Sequence, residues 1–143
     1  MNQIKPYPLW LGHAGDGRDF RPALDAGIQA LVELSREEPP ADPPRDLIYC
    51  RFPLLDGAGN DEHQLELAIQ TLAALVRMRI PTLVCCNVGL SRSPAIAAAA
   101  LAQAHGETPE DCLRRVAMAH HSDVSPGLWS EITHLMRPDR RLR

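Results

Sequence analysis

A strand that passes into a helix through one short loop constrains this fold more than any other feature of the sequence. Residues 82–86 read Thr-Leu-Val-Cys-Cys, an apolar run of strand length. An alanine-rich stretch follows from Pro94 to His105, with Pro near its start and Gly106 just past its end, the asymmetry that marks the two ends of a helix. The same succession recurs upstream. Leu47–Phe52 reads as a buried strand, and a Gly-rich loop separates it from a helix running to about Arg79. That helix shows one apolar face, Leu65, Ala68, Ile69, Leu72, Leu75 and Val76. Asn60 is expected to cap it, with Asp61 and Glu62 in its first turn. Strands alternating with helices predict an α/β fold with a mainly parallel central sheet of about four to five strands, flanked by helices on both faces.

The remaining segments fit that frame. PLWLG is expected to be an edge strand, Asp16–Asp25 a helix closed by Gly27, and Ile28–Leu34 another strand. The stretch from Arg36 to Asp46 is proline-rich and charged, and reads as a surface loop. Thr108 and Asp111 form a capping box, SPGLWSEITHLM makes a last helix with Leu128 and Trp129 on its core side, and RPDRRLR is a charged tail. No repeat or linker divides the chain, so residues 1–143 are expected to form a single domain.

Composition narrows the class. With 143 residues, 45% of them hydrophobic, the chain can bury a core without a disulfide or metal staple. A net charge of −3 implies no basic face, so neither nucleic acid nor a membrane is an expected partner. The four cysteines, Cys50, Cys85, Cys86 and Cys112, lack zinc-site spacing, and a bridge between the adjacent pair is strained. No signal peptide or apolar run of about 20 residues is present, which leads to the expectation of a reduced, cytoplasmic protein. No cofactor and no metal are expected. His120 and His121 read as a cap and a solvated ring, because adjacent histidines share one ion poorly.

The chemistry lies in the strand-to-helix loop. Five residues, Asn87, Val88, Gly89, Leu90 and Ser91, separate Cys86 from Arg92 and Ser93. Successive backbone N–H groups in such a loop form an anion-binding nest, and Gly89 lets the backbone bend. The helix N-terminus adds unpaired N–H groups and partial positive charge, and the planar fork of Arg92 grips two oxygens at once. The same field favours the thiolate form of Cys86, and a hydrogen bond from the Ser93 hydroxyl steadies the sulfur as a leaving group. Together the parts describe covalent phosphoryl transfer.

VCCNVGLSRSP resembles the C-x5-R-[S/T] signature of cysteine-dependent protein phosphatases, and its C-x-x-G-x-S-R-S-P form is most similar to the dual-specificity branch. The resemblance runs from LWLG to about HLM. The low-molecular-weight branch, which carries its cysteine near the N-terminus, fits less well. The resemblance implies a phosphatase-like fold and a cysteinyl-phosphate intermediate. It implies a monomer, acting on a phosphorylated protein or a small phosphomonoester through a shallow cleft. The loop has no basic residue of the kind found in relatives that act on polyphosphorylated inositol lipids.

Such a thiolate displacement needs a proton donor for the leaving oxygen. Asp56, 30 residues before Cys86 in a Gly-rich loop after a strand, resembles the family's acid in spacing and position, with Asp61, better explained as a first-turn helix residue, as the alternative. One residue departs from the family: Cys85 stands where histidine usually precedes the nucleophile. It is expected to be a small buried residue facing away from Cys86, with a redox partnership as the alternative. Arg36 and Glu37 are candidates for the cleft rim, with a solvated loop the simpler reading, and Arg51 is a candidate substrate contact. Cys50 and Cys112 read as core thiols. Two rival functions stay open at this point, rhodanese- or arsenate-reductase-like sulfur chemistry and a non-catalytic phosphate-binding module.

Overall fold

The structure, a computed structural model, describes residues 1–138. In chain order the elements are β1 (Asn2–Gln3), β2 (Leu9–His13), α1 (Phe20–Asp25), β3 (Ala30–Ser35), β4 (Ile48–Leu54), α2 (Glu62–Arg77), β5 (Thr82–Cys86), α3 (Arg92–His105), α4 (Pro109–Ala119) and α5 (Pro126–Leu135). The charged tail read from Arg137 onward lies outside the described residues beyond Pro138.

Five strands form one sheet in the order β1-β2-β5-β3-β4, and all neighbours are parallel except the β1–β2 pair. β3 and β5, buried at every residue, take central positions, as continuous apolar runs should. β1 pairs with the outer side of β2, so PLWLG is not an edge strand as expected. A two-residue strand carries no periodicity by which a sequence could reveal it.

The two faces of the sheet are covered unequally. Val84 and Cys86 point into a large core shared with α2, α3, α4 and α5. Leu83 and Cys85 point the other way, into a small cluster with Ala23, Ile28 and Leu31. That second face is covered by the short α1, by the turns before it, which bring Gly17 against Cys85, and by Ala41 of the proline-rich loop and the following Leu47. α3 packs against β5, α2, α4 and α5 and is buried from Arg92 to Ala102, which explains its run of alanines. Small side chains let a helix be enclosed by neighbours on several sides.

Local hydrogen bonds set the boundaries. Asp61, not Asn60, caps α2 by accepting from the Gln64 amide at 3.0 Å. α1 starts at Phe20, later than expected, because residues 14–19 are tied into turns by bonds such as Asp16 N–H to the His13 carbonyl. Gly106 closes α3 in the left-handed conformation, and Thr108 caps α4 on the Asp111 amide. Because β2, β5, β3 and β4 run parallel, the loops that follow them gather at one edge of the sheet.

Candidate active site

β5 delivers Cys86 to that edge, and α3 begins at Arg92, so residues 87–91 close a tight loop over the strand end. Gly89 has φ of +79°, and a Cβ there would lie 2.8 Å from the Gly12 carbonyl oxygen of β2. Both facts require glycine. Loop carbonyls are held from outside. Asn87 O accepts from Ala14 N at 3.1 Å, Leu90 O from Asp123 N at 2.7 Å and Ser91 O from Ala95 N at 3.0 Å. Gly89 O meets His120 Nε2 at 2.6 Å. Among the described residues, the amides of Val88, Gly89, Leu90 and Ser91 bond to no protein acceptor. A loop with its carbonyls clamped outward and its amides unspent can receive an oxyanion.

Arg92 completes it. Its side chain is nearly buried, and its Nη1 and Nη2 grip the two carboxylate oxygens of Glu37 at 2.6 and 3.0 Å. Nη1 also donates to the Leu54 carbonyl at 2.9 Å. Burial works against the guanidinium charge, but the hydrogen bonds and charge of Glu37 outweigh it, and Cys86 and Asp56 add to the effect. Glu37 is in turn held below the ordinary carboxylate range, chiefly by its bond to Arg92. Arg92 Nε, buried, has no partner among the described residues.

A cleft of about 330 Å³ opens beside Arg92, lined by Arg36, Glu37, Leu54, Leu55 and Asp56. The structure therefore brings Asp56, from the loop after β4, into one cleft with the arginine. The acid loop is braced by α5. Glu131 accepts from the amides of Gly59 at 2.9 Å and Asn60 at 3.3 Å and from the Asn60 side chain at 3.2 Å. Asn60 also closes the loop on itself through Leu55 and Gly57, which is its role in place of helix capping. The segment leading into α5 holds the phosphate loop too, since Ser125 N donates to Ser91 Oγ at 2.9 Å. Ser93 Oγ is buried and makes no hydrogen bond to any described residue, so the expected bond to the Cys86 sulfur is not formed here.

No family model matches the chain. Human dual specificity phosphatase 28 is 29% identical over 126 residues, covering 87% of this chain and 71% of the relative. Its crystal structure superposes with a TM-score of 0.85 at 26% identity, covering all of both chains. A mouse putative dual specificity phosphatase, crystallised with zinc tungstate, gives a TM-score of 0.81 at 26% identity, covering 93% of this chain and 84% of that one. Over most of its length this chain is similar to dual-specificity phosphatases.

Cys85 has a physical reason in this fold. It is 1% exposed in the smaller core, and a Cβ on Gly17 would sit 3.3 Å from its sulfur. The cavity beside it, reached also by Glu33, Ser35 and Cys86, measures only about 10 Å³. That is room for one water, not for an imidazole. Cys85 and Cys86 are both free thiols on opposite faces of the strand. Burial, and then the nearby Asp16 carboxylate, push the Cys85 thiol far above its ordinary range.

Three residues have roles beyond those expected. Glu37, which lines the cleft with Arg36 as the rim reading expected, is also the partner of Arg92, a contact that spans 55 positions and has no local signal. Arg51, a candidate substrate contact, is not among the residues lining the cleft; its Nη2 staples the backbone at the end of β3 and beyond, at Ser35, Arg36 and Glu38. His120 does cap α4, but its buried ring also supports the phosphate loop, whereas His121 is the exposed one.

Proposed function

We propose that this protein is a dual-specificity phosphatase that hydrolyses phosphomonoesters through a cysteinyl-phosphate on Cys86. The observation that carries the reading is the set of unspent donors above Cys86: the amides of residues 88–91 together with Arg92 Nε. The three non-bridging oxygens of a phosphoryl group match such a set in charge and shape. The Cys86 thiolate attacks phosphorus, the bond to the ester oxygen breaks, and Asp56 gives that oxygen its proton. The Asp56 carboxylate then takes a proton from water as the water's oxygen displaces sulfur, releasing phosphate and restoring the thiolate. Ser93 Oγ, with no other partner, is available to donate to the departing sulfur.

The open cleft with apolar Leu54 and Leu55 beside Arg92 supports phosphotyrosyl as well as phosphoseryl or phosphothreonyl side chains, in a phosphorylated protein or a smaller ester. A single catalytic domain acting as a monomer in the cytoplasm completes the proposal. Four free thiols fit a reducing compartment, and no helix among the described residues is long and apolar enough to cross a membrane.

Turnover of para-nitrophenyl phosphate and of a phosphotyrosyl peptide tests the mechanism. Cys86→Ser is expected to abolish both. Asp56→Asn is expected to lower kcat on the peptide, whose leaving group is poorer, by about 10²- to 10⁴-fold, and to affect para-nitrophenyl phosphate less. Residual turnover by Cys86→Ser overturns the mechanism. An unchanged peptide kcat in Asp56→Asn assigns the acid elsewhere.

A further inference from the structure

A trans peptide unit points its C=O and its N–H in opposite directions. Whatever grips a carbonyl on the outside of the phosphate loop therefore aims the next residue's N–H inward. Ala14 N, on Asn87 O, sets the Val88 amide, and Asp123 N, on Leu90 O, sets the Ser91 amide. Both grips are backbone groups that no side-chain substitution removes. The peptide between Gly89 and Leu90 differs, because its carbonyl is gripped by a side chain, His120 Nε2 at 2.6 Å. It also follows a glycine at φ of +79°, the residue with the least steric resistance to a peptide flip. A flip there would turn the Gly89 carbonyl oxygen toward the bound anion and the Leu90 amide away from it. One donor would become a repelling acceptor.

We propose that His120 is a positioning residue of the phosphate loop, holding Gly89 O outward so that Leu90 N–H faces the phosphoryl oxygens. The ring is prepared for this. A carbonyl only accepts, so Nε2 carries the proton, and Nδ1 accepts from Asn2 Nδ2 at 2.9 Å. The bond spans 118 positions, and it ties β1 and the end of α4 to the same loop. With the residue before the nucleophile small and turned into the other core, His120 is the imidazole that reaches the loop, and it does so from α4.

The inference rests on reading residues 87–92 as an oxyanion loop, so binding is measured apart from turnover. Inorganic phosphate and tungstate are titrated calorimetrically into Cys86→Ser, which binds without reacting. His120→Phe, added to that background, keeps a buried ring and removes both nitrogens. It is expected to weaken binding about tenfold or more. His120→Gln, which restores an N–H donor, is expected to stay within about threefold of the parent. In the Cys86 protein the same two substitutions are expected to split kcat/KM in the same order, while their thermal midpoints stay together. Equal affinity in the parent and His120→Phe overturns the proposal, as does a Gln variant that binds as poorly as Phe. No oxyanion binding by Cys86→Ser itself would instead bring down the oxyanion-loop reading, and this inference with it.

Discussion

Arg92 is a buried cation whose countercharge is only half buried: the Glu37 side chain keeps 48% of its exposure. A surface ion pair alone is worth about 0–1 kcal/mol. Stranding a buried guanidinium costs more, because its desolvation is no longer offset. Glu37→Ala is therefore expected to lower stability by about 1–3 kcal/mol in phosphate-free buffer. Saturating inorganic phosphate is expected to restore more of that loss than it adds to the wild type, since the dianion supplies the missing charge. Urea unfolding with and without phosphate measures both. A phosphate-free midpoint equal to that of the wild type would mean that Glu37 does not compensate Arg92. The loop from Cys86 to Arg92 and the placing of Asp56 in one cleft with Arg92 were legible in the sequence, because they rest on short local patterns with fixed spacing. The pairing of Glu37 with Arg92 and of His120 with Gly89 was not, because each spans a long stretch of chain, and a cleft-rim residue and a helix cap look the same with or without such a partner. Cys85 was legible from strand alternation alone, which separates adjacent side chains onto opposite faces.

At the scale of elements, α5 and the residues before it brace both halves of the site. Asp123 and Ser125 hold the phosphate loop, and Glu131 holds the acid loop. Gly127, in the first turn of α5, is where the acid loop comes nearest, for a Cβ there would lie 2.9 Å from Ala58 N. Gly127→Ala tests that closeness. Alanine favours the helix by up to about 1 kcal/mol, and the overpacking costs about 1–3 kcal/mol, so net stability is expected to change little. Activity is expected to change much more, since a displacement of about 1 Å in a catalytic group can cost about 10²-fold. Steady-state kinetics on a phosphotyrosyl peptide should show kcat falling at least about tenfold with KM nearly unchanged. A wild-type kcat would show that the acid loop does not depend on this contact. The elements themselves were legible wherever periodicity ran for several residues, as in α2 and β5. What escaped was decided by single hydrogen bonds or very short pairings. Asp61 rather than Asn60 caps α2, residues 14–19 form turns rather than helix, and β1 covers the expected edge.

Over the whole molecule, stability draws on two cores of unequal size, and thiols line both. Cys112 sits in the large core with Cys50 packed against it, and Cys85 sits in the small one. Burial raises all three above the ordinary thiol range. The sign follows from linkage. A raised folded-state value gives stability that is complete below the unfolded thiol's range and is lost as pH rises beyond it, because the unfolded chain releases protons that the folded chain keeps. The carboxylates act oppositely. Glu37, through its bond to Arg92, lies below its ordinary range, and so does Glu131, where hydrogen bonds from Gly59 and Asn60 outweigh burial. Their contribution is therefore lost as pH falls through the acid range. Stability should peak between these limits, and Cys85 should steepen the alkaline side most, because burial and the nearby Asp16 carboxylate push its thiol up furthest. Each thiol that ionises only on unfolding contributes a slope of about 1.4 kcal/mol per pH unit. Urea unfolding under reducing conditions, from about pH 9 to about pH 10.5, is expected to show Cys85→Ala with a slope shallower by about that amount, whatever its loss at neutral pH. Parallel slopes for the two proteins would mean that Cys85 ionises as readily in the folded chain as in the unfolded one, and that the smaller core does not exclude water from it.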